Sequence, residues 1–124
     1  MIQTVKKDDK TVTIETTEGI FKRTFLDDIQ EVLVHSDRVL VRLNYMDKSK
    51  TLGNRNIFCL NERGDVLWQI QDPDTYPPGF PKSDSPFVGV RITKDNKLRA
   101  TSWDSHGYEV DINTGMLSNA EFTK

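Results

Sequence analysis

Cysteine is nearly absent from this 124-residue chain: Cys59 stands alone, so no disulfide can form within it. Helix signals are scarce too, since no stretch repeats apolar residues at the three-to-four spacing that an amphipathic helix requires. The five prolines are confined to Gln71–Pro86, so ladder-breaking residues are missing from the remainder. No apolar run approaches the roughly 18 residues that cross a bilayer, and Met1-Ile2-Gln3-Thr4-Val5-Lys6-Lys7 lacks the apolar centre of a signal peptide. A cytoplasmic protein with no membrane partner is the expectation. An excess of one charge is lacking as well: 17 Lys and Arg stand against 19 Asp and Glu, a net −2, which argues against a nucleic-acid binder. The two histidines, His35 and His106, have no Cys or His at ligand spacing, and no glycine-rich loop leads into a helix. Neither a metal nor a phosphate-bearing cofactor is therefore expected.

What the chain has instead is short strands. Thr11 to Thr16 alternates and is largely β-branched, which places Val12 and Ile14 inward, and Ile20 to Phe25 returns after a Thr17-Glu18-Gly19 turn. Leu26 to Glu31 reads either as a helical turn capped by Asp27 or Asp28 or as a polar connector. Val32 to His35 and Val39 to Tyr45 form a second hairpin with Val39, Val41, Leu43 and Tyr45 on one face. Ile57 to Leu60 is apolar without a break, so both its faces should be covered. After Asn61 to Asp65 comes a strand with Val66, Trp68 and Ile70 inward. Beyond the proline segment come Phe87 to Thr93, Leu98 to Trp103, Tyr108 to Ile112 and Met116 to Phe122. Up to eleven strands make the fold all-β, and the length fits a single domain, 1–124. Its parts are N-terminal hairpins at 1–25, a repeat at 29–71, the Pro-rich loop at 72–86 and a second repeat at 87–124.

The repeat is visible as an echo. A displacement of 50 lays Phe58 on Tyr108, Leu60 on Val110, Asn61 on Asp111 and Leu67 on Leu117, and one of 58 lays Val32 on Val90 and Leu40 on Leu98. Four antiparallel strands repeated about every 40 residues is the build of a propeller blade. Asp111-Ile112-Asn113-Thr114-Gly115 resembles the Asp…Thr-Gly turn of quinoprotein-type blades, as does Asn61 to Trp68. The expected architecture is an incomplete, half β-propeller of two to three small antiparallel sheets, with a β-sandwich as the alternative. Asn56 to Ile70 together with Trp103 to Lys124 also resembles small bacterial immunity proteins of contact-dependent inhibition systems. That resemblance implies a non-enzymatic protein that blocks a cognate toxin, a nuclease for example, as a monomer in a 1:1 complex.

Candidate functional residues are few. Asp104-Ser105-His106 sets acid, hydroxyl and imidazole side by side, but adjacent residues in a tight turn diverge, whereas a triad is assembled in space. Arg63-Gly64-Asp65 matches the integrin tripeptide yet sits in a hairpin joint, where turn chemistry explains it. Cys59, in the most apolar strand, reads as a small buried hydrophobe. The loop's Asp72, Asp74 and Asp84 would steer a basic partner, and its Tyr76 and Phe80 would anchor it. Trp103, Asp104 and His106 belong to a blade-end turn, with Trp103 either surface or core. These eight residues are the expected partner-binding set, and a small-ligand or carbohydrate site at Trp103, Asp104 and His106 is the alternative.

Overall fold

The computed structural model describes residues 1–44, 54–72, 86–103 and 106–122. Eleven strands run through them: β1 (Ile2–Asp8), β2 (Thr11–Thr16), β3 (Gly19–Thr24), β4 (Ile29–His35), β5 (Arg38–Leu43), β6 (Ile57–Leu60), β7 (Val66–Gln69), β8 (Phe87–Ile92), β9 (Leu98–Ser102), β10 (His106–Val110) and β11 (Leu117–Phe122). They form three antiparallel meanders in chain order, one sheet of three strands (β1 to β3) and two of four (β4 to β7 and β8 to β11). No helix occurs among the described residues.

The alternation of strand side chains between two faces decides where the cores lie. Val12 and Ile14 of β2 pack on Ile29, Val39, Val41, Leu43 and Leu60 of the middle sheet, forming one core. From the opposite face of that sheet, Leu40, Ile57, Cys59, Trp68 and Ile70 pack on Phe87, Leu98, Ala100, Tyr108 and Val110 of the third, forming the other. The middle sheet is thus apolar on both sides, and the unbroken run Ile57 to Leu60 feeds both cores. The outward faces differ: alternate positions carry Thr13, Glu15 and Lys22 on the first sheet, and Arg99, Thr101 and Glu109 on the third, all partly or fully exposed. Two stacked interfaces side by side make a fan rather than a sandwich.

One alternative is decided and two local expectations change. Residues 25–28 form a connector without helix, and β4 starts at Ile29, ahead of Val32, because Ile29 is buried, pairs with Leu43 and donates its N–H to Asp9 O at 2.7 Å. Val66 does not share the inward face with Trp68. The pairing of β6 with β7 slips between Cys59 and Leu60, and Val66 and Leu67 both end up exposed. A bulge of this kind inserts one unpaired residue and re-aims the side chains next to it.

The turn joining the last two strands recurs in every sheet. Thr16, Asn61 and Asp111 each accept, on a side-chain oxygen, the N–H two residues on, from Glu18 at 3.0 Å, Arg63 at 2.8 Å and Asn113 at 2.8 Å. Each turn then contains a glycine, Gly19, Gly64 or Gly115. Four positions beyond the first two stand Arg23 and Trp68, and each reaches the turn of the next sheet. Arg23 Nε donates to Gly64 O at 2.8 Å, and Trp68 Nε1 donates to Ile112 O at 2.7 Å. By this correspondence β1 to β3 match β5 to β7 and β9 to β11. Packing agrees, since β1 lies against β4 as β5 lies against β8. Among the described residues the first sheet therefore shows no counterpart of β4 or β8.

Candidate functional site

Three connections, 44–56, 70–86 and 102–106, are tied together at their roots by hydrogen bonds. The tie is Asn56, which is 1% exposed. Its Nδ2 donates to Leu43 O at 3.0 Å and to Phe87 O at 2.8 Å, while its Oδ1 accepts from Phe87 N at 2.9 Å. One amide thereby satisfies backbone groups at the ends of β5 and β8, groups that would otherwise be costly to bury. Beside it, Arg55 Nε donates to Ile70 O at 2.9 Å, and Gln69 Nε2 donates to Arg55 O at 2.7 Å. Asn54 Nδ2 donates to Asp72 Oδ1 at 3.3 Å. Trp103 N donates to Pro86 O at 2.8 Å. Where the segments leave the sheets, their backbones are held by the fold.

On this frame stand three of the eight expected partner-binding residues. Asp72 is half-buried and oriented by Asn54. Trp103 is 61% exposed, which resolves it as a surface residue. His106 is half-buried, with its ring stacked on buried Tyr108 at a centroid distance of 6.4 Å, and its backbone carbonyl accepts from Ser102 Oγ at 3.3 Å. Asp74, Tyr76, Phe80, Asp84 and Asp104 lie outside the described residues, as do Tyr45 and the Ser105 of the Asp-Ser-His trio.

The Arg-Gly-Asp tripeptide is spent on the fold. Arg63 pairs with Glu18 at 3.4 Å, Gly64 O accepts from Arg23, and the Asp65 carboxylate takes the Asn61 amide at 3.2 Å and lies 4.0 Å from Arg23. The tripeptide is the joint between the first two sheets. Cys59 is fully buried, and burial pushes its thiol up to about 12, so it stays protonated and unreactive at neutral pH. Among the described residues no three His, Cys, Asp or Glu side chains gather where a metal ion could be held. A cleft of about 320 Å³ beside His35 is lined by Lys97, Glu109, Asp111 and Ser118, and in it Lys97 is paired with Glu109 at 3.5 Å. A second, of about 330 Å³ between the first two sheets, is mostly apolar, with Phe25, Leu26, Leu43, Phe58 and Val66 on its walls beside Arg23 and Thr24.

Sequence reasoning missed Asn56 and the lock that Trp68 Nε1 makes with Ile112 O in the turn of Gly115. A lone Asn before an apolar strand carries no signal. The lock had one, because the Thr-Gly turn and the Trp-bearing turn match each other in sequence, yet their contact across sheets arises only from the stacking.

The fold and this set of roots define a propeller-like protein of three blades, the first of them with three strands among the described residues. The chain belongs to the family described as Domain of unknown function (DUF7957), which matches residues 2–122. Among solved structures it is similar to BamB from Moraxella catarrhalis, with 13% identity and a TM-score of 0.59 over 99% of this chain and 35% of that one. It is also similar to the computationally designed Ika8 protein, with 12% identity and a TM-score of 0.56 over 99% of this chain and 37% of that one. With the designed Ika4 protein the identity is 11% and the TM-score 0.58, over 100% of this chain and 74% of that one. The chain spans about a third of the length of BamB and Ika8. These likenesses concern the fold. No curated protein matches the sequence.

Proposed function

We propose that this domain is a non-enzymatic protein-binding module that receives its partner where Asp72 and Trp103 leave the sheets. The observation that carries this reading is Trp103, a large aromatic left 61% exposed on a backbone pinned to Pro86 O at 2.8 Å. A tryptophan held that way loses little conformational freedom on binding and supplies much of the contact area, which is how interface anchors work. Asp72, oriented by Asn54, adds a carboxylate beside the roots of the same connections. In its most concrete form the module is an immunity protein that covers the basic active cleft of a cognate toxin. That form is supported by the resemblance of Asn56 to Ile70 and Trp103 to Lys124, and by the acidic, aromatic character of the segment from Asp72 to Pro86.

The test is to purify the product of the neighbouring reading frame and titrate it with this protein by calorimetry, following any nuclease activity of that product. The expected result is a 1:1 complex that silences the activity, which Trp103→Ala weakens by about 10- to 100-fold without shifting the unfolding midpoint. Undiminished affinity in Trp103→Ala, or activity that persists in the complex, would overturn the reading.

A further inference from the structure

Among the described residues β1 is an edge strand of the first sheet, paired with β2 on one side only. The two-residue turn at Asp9 and Lys10 makes Asp8 and Thr11 a hydrogen-bonded pair, and alternation along an antiparallel ladder does the same for Lys6 with Thr13 and Thr4 with Glu15. Val5 and Lys7 therefore direct their N–H and C=O groups away from β2, towards the place that β4 fills beside β5 and β8 fills beside β9. No strand among the described residues takes that place. An edge of this kind is a template for one more strand.

We infer that the open edge of β1 takes up an extended acidic and apolar segment of another polypeptide, completing the first blade as its innermost strand. The chemistry of the segment is set by the side chains it would lie beside. Val5 is half-buried against the first core, so its neighbour is apolar. Lys6 and Lys7 are exposed on opposite faces of the sheet, and neither forms an ion pair among the described residues, so their neighbours are carboxylates. Cross-strand pairs of opposite charge favour the match, and like charges oppose it. Lysines on an edge also repel strands that lack such carboxylates, which makes the uptake selective. This surface is separate from the one around Trp103.

The probe is a short synthetic peptide with two adjacent glutamates and then alternating valine and threonine, beside a control with lysines in place of the glutamates. Titration by fluorescence anisotropy is combined with amide hydrogen exchange. The expected result is binding of the glutamate peptide alone, with slowed exchange at Val5 and Lys7. Charge reversal of Lys6 and Lys7 to Glu should weaken it about tenfold, from two exposed pairs, and Val5→Pro should abolish it by removing an outward donor. Trp103→Ala should leave it unchanged, which separates this site from the proposed docking surface. Equal binding of the lysine peptide, protection elsewhere than β1, indifference of a folded Lys6→Glu, Lys7→Glu variant, or self-association of the chain through β1 would each overturn the proposal.

Discussion

Gly115 is where the structure makes its sharpest energetic claim. A Cβ built there would lie 2.5 Å from Cε3 and 2.8 Å from Cδ2 of Trp68, and the residue has φ +76°. Alanine in that conformation costs about 1–2 kcal/mol by itself. Carbon contacts settle at about 3.5–4.0 Å, so the indole must also retreat by about an ångström from a site where it is 8% exposed. Retreat strains its bond to Ile112 O, worth about 1 kcal/mol, and the repacking adds about 1–3 kcal/mol. Gly115→Ala should therefore cost about 3–6 kcal/mol, a large part of a small domain's stability. Gly64 supplies the control, for its φ is +81° but nothing lies nearer to the added carbon than Lys22 O at 3.7 Å. Gly64→Ala should show the backbone cost alone, about 1–2 kcal/mol. Urea unfolding monitored by circular dichroism measures both, and a Trp68→Leu background should reduce the Gly115→Ala cost towards that of Gly64→Ala. Equal costs for the two glycines, or a Gly115→Ala cost that survives loss of the indole, would refute the lock.

Three further outcomes are expected from the same structure. Asn56→Ala should destabilise by about 3 kcal/mol or more, because it strands the N–H and C=O of Phe87 and the C=O of Leu43 in a buried site; denaturation with exchange of the Phe87 amide checks it. Burial raises Cys59 from 9.0 to about 12, so the folded state keeps a proton that the unfolded chain releases. That stabilisation is complete below about pH 9 and is lost as pH climbs towards about 12. The stability gap between wild type and Cys59→Ala should accordingly shrink by about 1.4 kcal/mol per pH unit in that window, and urea midpoints that keep a constant gap would contradict it. Ser36 sits at φ +56°, where glycine is unstrained, so Ser36→Gly should raise stability by about 0.5–1 kcal/mol, while Asn96→Gly at φ +66° gains less because Asn tolerates that region; thermal midpoints decide.

The architecture was legible because period-two alternation survives wherever one face of a strand meets a core. Val12 and Ile14 show it on β2, and Val39, Val41 and Leu43 show it on β5, while the unbroken apolar run Ile57 to Leu60 pointed to a strand covered on both faces. Alternation failed at Val66, where a bulge opposite Leu60 shifted the register and no residue type announced it. It was also silent at Ile29, whose strand role depends on partners at Asp9 and Leu43 brought together by the stacking of two sheets. For the candidate site, acidic and aromatic composition singled out Asp72 and Trp103 but said nothing of what fixes them. Asn54, Pro86 and Asn56 do that over separations of 18, 17 and 31 residues, beyond the reach of any local pattern.

The two-sided middle sheet has a consequence for the growing chain on the ribosome. When β7 emerges, Leu40, Ile57, Cys59 and Ile70 have been made but Phe87, Tyr108 and Val110 have not, so an oily flank stays bare until some fifty further residues arrive. During that interval the nascent protein is at its stickiest, and a stall or truncation after Gln71 would favour aggregation over release of a smaller soluble domain.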